Sequence, residues 1–235
     1  MIKSTNEKAP ELELWLPEIK KYIFEIFGPI LKPGGYSFRQ VDGSYKREHG
    51  RDYQDITFLF ANQFPLNYRL SFLMEVWNHQ IKSVKSSFSQ QNLIEKYKLR
   101  SLVLFMFDFM PKPNADVDRK KMNNFTLVTF KDLFVATESI IGMMQKQVLP
   151  LADQLYSLDG IDQFFADRPG WSVNNLNPNN MITELAAAKL NHKRNYQEVF
   201  QDMMERVKEK IANMEMSTDT RHAMEAFNKH IKNKR

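Results

Sequence analysis

The sequence predicts an α+β protein: an antiparallel sheet of about five strands with helices on one face, followed by an all-helical C-terminal part. Three observations carry this. Fourteen of the 18 Phe lie at or before Phe134, eight of the 13 Met follow it, and five of the eight Gly fall in the first 50 residues. Alternating runs flank Asp42-Gly43, the dipeptide of a tight hairpin. From Asp132 onward apolar residues recur at three- and four-residue spacing, the helical period. On this basis residues 1–130 form a sheet-containing part and residues 131–235 a helical part packed on it, or the two make one continuous domain.

The first element is a helix, because Leu16, Ile19, Tyr22, Ile23, Ile26 and Phe27 share one face. Pro17 suits its first turn, where a missing N–H costs nothing, and Gly28-Pro29 reads as its stop. Strands Tyr36 to Val41 and Ser44 to Glu48 then flank Asp42-Gly43 in a type I′ turn. Ile56, Phe58 and Phe60 mark a third strand, which a Phe64-Pro65-Leu66-Asn67 turn follows. Tyr68, Leu70, Phe72, Met74 and Val76 form the core face of a fourth strand; Arg69, Ser71, Leu73, Glu75 and Trp77 form a mixed, partly open face.

Gln80 to Lys98 reads as a helix, and Leu99 to Phe109 as a buried strand ended by Pro111-Lys112-Pro113-Asn114. Phe125 to Phe130 reads as a further strand, with the start of the next helix as the other reading. Leu133, Ala136, Ile140, Ile141, Met144, Val148 and Leu151 follow a helical period that Pro150 should kink or break. Helices over Asp159 to Phe165, Met181 to Asn191, Asn195 to Met214 and Thr220 to Lys232 complete the set, the last capped by Thr218 or Asp219. Phe200, Met204, Val207, Ile211 and Met214 form a stripe of barely two heptads, which fits intramolecular core better than a dimer seam.

Composition excludes whole chemistries. With no cysteine there are no disulfides, thiolate nucleophiles or Cys-type zinc sites, which fits a reducing cytoplasm. The N-terminal residues lack the apolar stretch of a signal peptide, and the longest apolar run, Leu102 to Phe107, is far too short to span a bilayer. There is no Gly-x-x-x-x-Gly-Lys-Ser/Thr and no Gly-x-Gly-x-x-Gly to cradle a phosphate. No His-Glu-x-x-His or His-x-His occurs, and His222 and His230 are about 12 Å apart along a helix. Asn114-Ala115-Asp116-Val117-Asp118 mimics an EF-hand start, but Arg119 stands where Gly is needed and Phe125 where Glu is needed. Asp55 and Glu75 could mimic a nuclease pair, but Glu75-Val76-Trp77 lacks the lysine of Glu-x-Lys. No Gly-x-Ser-x-Gly elbow frames a serine nucleophile. No cofactor, metal site or membrane contact is expected.

Two surface chemistries remain. Trp77, Tyr45, Tyr53 and Trp171 could anchor a partner protein, because Trp and Tyr offer large contact area at low entropy cost. Arg119, Lys120 and Lys121 in a loop, Lys193 and Arg194 between two helices, and Lys229, Lys232, Lys234 and Arg235 at the end could bind a polyanion if they converge. The net charge of +5 is uneven: residues 221–235 carry five basic residues against Glu225, leaving a body of about +1.

The run Ile30-Leu31-Lys32-Pro33-Gly34-Gly35-Tyr36, the strands through Tyr45-Lys46-Arg47-Glu48 and Asp55-Ile56-Thr57-Phe58, and Val148-Leu149-Pro150-Leu151 before Leu158-Asp159-Gly160-Ile161 resemble small bacterial domains of unknown function. Some of those are encoded beside toxin genes and regarded as immunity proteins. The resemblance spans residues 15 to 210, with Gly35-Tyr36 where that family usually has Gly-Phe. It implies a cytoplasmic, non-enzymatic binding protein whose partner is another protein; a nucleic-acid-associated protein is the alternative.

Overall fold

The structure is a computed structural model that describes residues 12–63, 67–89, 102–109 and 125–233. It is an α+β fold. Six strands form one antiparallel sheet: β1 Ser37–Arg39, β2 Ser44–His49, β3 Asp52–Gln63, β4 Asn67–Trp77, β5 Leu102–Phe105 and β6 Phe125–Leu127. The order is β1-β2-β3-β4-β5, and β6 pairs antiparallel with the first part of β4, Tyr68 opposite Leu127. From Phe130 onward every described element is helical. The chain forms two compact units that interleave along the sequence. One comprises Met1–Arg47, Ile56–Leu73 and Phe105–Leu149; the other comprises Glu48–Asp55, Met74–Leu104 and Pro150–Arg235.

In the first unit, helix α1 (Leu12–Leu31) buries Ile19, Ile23 and Phe27 from the predicted face, leaves Leu16, Tyr22 and Ile26 part-buried, and buries Leu31 beyond the predicted stop. Phe27 meets Phe58 at 4.6 Å between ring centroids, and full burial of such side chains contributes about 1.5–3 kcal/mol each. Both prolines lie inside α1, so Pro17 is not in its first turn and Gly28-Pro29 is not its stop. A proline removes one ladder bond, and packing of the buried stripe outweighs that loss. The helix ends instead in a 3₁₀ turn over Lys32–Gly34, where Gly35 adopts φ +82° and donates its N–H to the Lys32 carbonyl.

The first hairpin also differs from expectation. Arg39 pairs with Ser44, so the loop holds four residues, and the Gly43 N–H donates to the Arg39 carbonyl. Gly43 alone in this loop has positive φ (+62°), whereas a type I′ turn needs two such residues. In β4 the residues Tyr68, Leu70, Phe72, Met74 and Val76 are buried as predicted, and Ser71 and Leu73 on the opposite face are buried as well. Leu99 to Phe109 is not one strand: β5 ends at Phe105, and Met106–Phe109 turns in a 3₁₀ helix that Asp108 fastens by accepting the Phe105 N–H.

Phe125 to Phe130 divides between both readings. Three residues make β6, and Thr129 caps helix α3 (Phe130–Met143). A π-helical turn, Met144–Val148, follows, and then α4 (Leu149–Gln154). Pro150 therefore lies inside a helix that runs on to Gln154 and does not end it; the π-helical turn precedes the proline, which has no N–H to offer the Lys146 carbonyl.

The second unit is organised by helix α7 (Pro178–Asn191), in which every residue from Asn179 to Ala188 is buried. It packs against α2 (His79–Ser89), α5 (Leu158–Ala166), α6 (Trp171–Asn174), α8 (Tyr196–Ala212) and α9 (Thr218–Asn233). Ala186, Ala187 and Ala188 let these helices approach closely on several sides. Pro178 occupies the first helical position after Asn177, which caps the helix through the Asn179 N–H, so α7 begins three residues before the expected start at Met181. On α8 the core residues are Met203, Met204 and Val207; Met214 is 93% exposed and lies outside the stripe assigned to it. Ser217, rather than Thr218 or Asp219, caps α9, accepting the Asp219 N–H. Met224, Phe227 and Ile231 bury its inner face.

Candidate partner-binding surface

The aromatic candidates fall in three different environments. Tyr45 is buried in the first unit; its hydroxyl donates to the Phe24 carbonyl (2.7 Å), and its ring contacts Phe24, Phe38 and Phe58. Burial pushes its phenol up to about 12. Tyr45 is therefore core and not a surface anchor, because its alternation phase on β2 points it under α1. Trp171, in the second unit, is half-buried edge-on against Phe164 (5.0 Å, 83°) and supports that unit's core.

Only Tyr53 and Trp77 come together. Their rings stack at 5.1 Å and 16°, and Lys82 Nζ lies 4.2 Å from the Trp77 centroid. The adjoining corner is fastened by Asp52, which accepts the His79 N–H (2.7 Å), His79 Nδ1 (2.8 Å) and Asn78 Nδ2 (3.2 Å). Asn78 in turn accepts the Ile81 N–H and starts α2. Trp77 thus has protein partners on its ring and stays partly exposed.

Of the nine cation candidates, Arg119, Lys120, Lys121, Lys234 and Arg235 lie outside the described residues. Lys193 pairs with Asp159, whose carboxyl is held below its usual range first by that contact and then by Asn191. Arg194 reaches inward: its guanidinium meets Asp162 at 2.6 Å and Glu184 at 3.1 Å, with Asp162 only 2% exposed. Ser172 donates to the other Glu184 oxygen, at 2.5 Å. Burial pushes the Glu184 carboxyl up, against the opposing pull of Ser172 and Arg194. Arg194 is accordingly a half-buried cation paired with two carboxylates, whereas Lys193 is 62% exposed and forms a surface pair with Asp159. Lys229 and Lys232 are exposed on α9. Arg194→Met is expected to cost about 3 kcal/mol, because two buried carboxylates lose their shared cation. Urea unfolding measures this, and an unchanged midpoint would contradict it.

The surface that sequence reasoning missed lies in the first unit. Val128 (54%), Phe130 (54%), Phe134 (58%) and Val135 (53%) are each more than half exposed. They surround the strand-to-helix corner where β6 passes into α3. That corner is stiff. Thr129 and Asp132 form a capping box, and Asp132 accepts the N–H groups of Val128 (3.1 Å) and Thr129 (2.8 Å) together with the Thr129 hydroxyl (2.9 Å). These bonds, led by the Thr129 side chain, hold the Asp132 carboxyl below its usual range. A shallow apolar cleft opens beside them, floored by Ile19, Tyr68 and Leu127 and rimmed by Val128 and Phe130.

Helical periodicity contained the signal. Leu133, Ala136 and Ile140 define the buried face of α3, and Phe130 and Phe134, one turn apart, fall on another. Two apolar faces on one helix leave one unburied. Reading Phe125 to Phe130 as strand hid this, because it removed Phe130 from the helical wheel.

Among the described residues no group of three His, Cys, Asp or Glu side chains could hold a metal ion, and no helix is long and apolar enough to cross a membrane. Compared with known proteins, the chain matches no family model, no curated protein and no solved structure.

Proposed function

We propose that this chain is a non-enzymatic, cytoplasmic protein-binding module that engages another protein through the apolar corner formed by Val128, Phe130, Phe134 and Val135. The observation that carries the reading is the exposure of these four side chains on a corner locked by the Thr129–Asp132 capping box. Apolar area removed from water contributes about 25 cal/mol per Å². A rigid display loses little conformational entropy on binding, so more of that contribution appears as affinity. Large exposed apolar patches mark interaction sites in soluble proteins, and these four side chains fall within eight residues of one another. The resemblance to immunity-type bacterial domains supports a toxin-like protein as the partner.

The test is affinity capture from the native host with the wild type and with the Phe134→Lys/Val135→Lys double variant. Both positions are exposed, so the variant should keep the wild-type circular dichroism spectrum. The expected result is a partner held by the wild type and recovered at least tenfold less by the variant. Equal recovery by the two proteins would overturn the reading.

A further inference from the structure

The second unit buries an amine among hydrogen-bonding groups in a way that suits two protonation states. Lys85, on α2, is 1% exposed. Its Nζ lies 2.6 Å from Asn179 Oδ1, 3.0 Å from Thr183 Oγ1 and 3.3 Å from the Asn179 carbonyl oxygen, all in the first turns of α7. Thr183 Oγ1 donates to that same carbonyl at 2.8 Å, which leaves its lone pairs for the amine. The oxygens therefore suit an ammonium with three N–H groups. Asn179 Nδ2, on the far side of the same amide, is buried and has no hydrogen-bond partner among the described residues. A buried orphan donor is destabilising, so this arrangement of the amide favours the charged lysine at the expense of its own nitrogen.

We propose that Lys85 and Asn179 form a proton-coupled switch within the second unit: when Nζ gives up a proton to solvent, the Asn179 amide turns over, and Nδ2 donates to the lone pair that the proton left. A neutral amine has two N–H groups and one acceptor lone pair, so an oxygen at 2.6 Å on that lone pair is repulsive and an amide nitrogen is attractive. The turn exchanges an orphan donor for an orphan acceptor, the less costly of the two. It replaces a short charge-assisted bond between α2 and α7 with a neutral one of roughly half the strength. Removal from water favours the neutral amine and pulls Lys85 down to about 7, which places the change near neutrality.

The charged groups on the neighbouring elements have other engagements. On α7, Glu184 is held by Ser172 and Arg194, and Lys189 lies over the Tyr196 ring. On α9, His230 contacts the Ser87 hydroxyl at 3.0 Å, and on α2 itself Lys82 lies over Trp77.

Nuclear magnetic resonance of the isotopically labelled full chain, from pH 5.5 to 9, tests the switch. The Lys85 Cε signal and the Asn179 side-chain amide signals are expected to move together, with one midpoint near neutrality. Asn179→Asp supplies a carboxylate that cannot donate, so it should raise the Lys85 midpoint by at least one pH unit. Asn179 amide signals that stay constant while Lys85 titrates would overturn the proposal, and so would a Lys85 Cε signal that keeps its ammonium position up to pH 9. Both readouts come from the wild-type protein, so they stand even if the variant does not fold.

Discussion

Gly160→Ala is expected to destabilise the protein by about 3 kcal/mol, lowering the unfolding temperature by about 6–12 °C for a chain of this size. Gly160 lies in the first turn of α5, after the Ser157 cap, which accepts the Gly160 N–H. A Cβ built on it would overlap the Gln154 carbonyl oxygen and stand 2.8 Å from the Gln154 carbonyl carbon. Those are backbone atoms at the end of α4, so no rotamer relieves the overlap; the α4–α5 corner must open. Gln54 Nε2 donates to the Ala152 carbonyl at 2.6 Å, so opening the corner also strains a buried bond to β3. Gly142 is the control. It lies within α3 with nothing within 4 Å of an added Cβ, and Gly142→Ala should stabilise by about 0.5–1 kcal/mol, because alanine loses less backbone entropy on entering a helix. Calorimetry of both variants decides the matter; a Gly160→Ala midpoint within a degree of wild type would refute the close approach.

The stability of the wild type is expected to rise with pH more steeply than that of Lys85→Met. The sign follows from the direction of the shift. In the folded chain Lys85 is pulled down from 10.5 to about 7 by burial, whereas in the unfolded chain it keeps its ordinary value. Below about 7 both states hold the proton, and the folded state bears the full cost of burying the charge. Between about 7 and 10.5 only the unfolded state holds it, so unfolding takes up a proton. Raising the pH across that window then favours the folded state by up to about 1.4 kcal/mol per pH unit, on the order of 5 kcal/mol in all. Methionine is close in length and does not titrate, so the difference between the two unfolding curves from pH 6 to 10 isolates this residue. Identical pH dependence in the two proteins would show that Lys85 is not buried as described. The variant leaves the Asn179 and Thr183 oxygens without their donor, so its absolute stability can move either way; the slope is the discriminating quantity.

Local rules were legible in the chain wherever one segment decides its own conformation. The buried residues Ile19, Ile23 and Phe27 of α1, the core face of β4 and the buried face of α3 each follow from periodicity. Stops and turns were less legible. Gly28-Pro29 ends a helix only if nothing rewards continuing it, and the burial of Leu31 does. Asp42-Gly43 allows a type I′ turn, but the Arg39–Ser44 register imposes a four-residue loop.

The candidate sites divide in the same way. The sequence could nominate Tyr45 and Arg194 by residue type, because phenol and guanidinium serve core and surface equally well. Whether each faces inward depends on which partner the fold brings, and the fold brings the Phe24 carbonyl to one and Asp162 with Glu184 to the other. The sequence by itself determined the α+β class, the missing cysteine and phosphate-loop chemistries, and the helical C-terminal part, because composition and period are one-dimensional properties. Only the tertiary structure decided that Phe130 and Phe134 stay in water and that Lys85 leaves it. Burial is a property of distant residues in space: α7 joins residues far along the chain from Lys85 to its amine, and no comparable element covers the exposed face of α3 among the described residues.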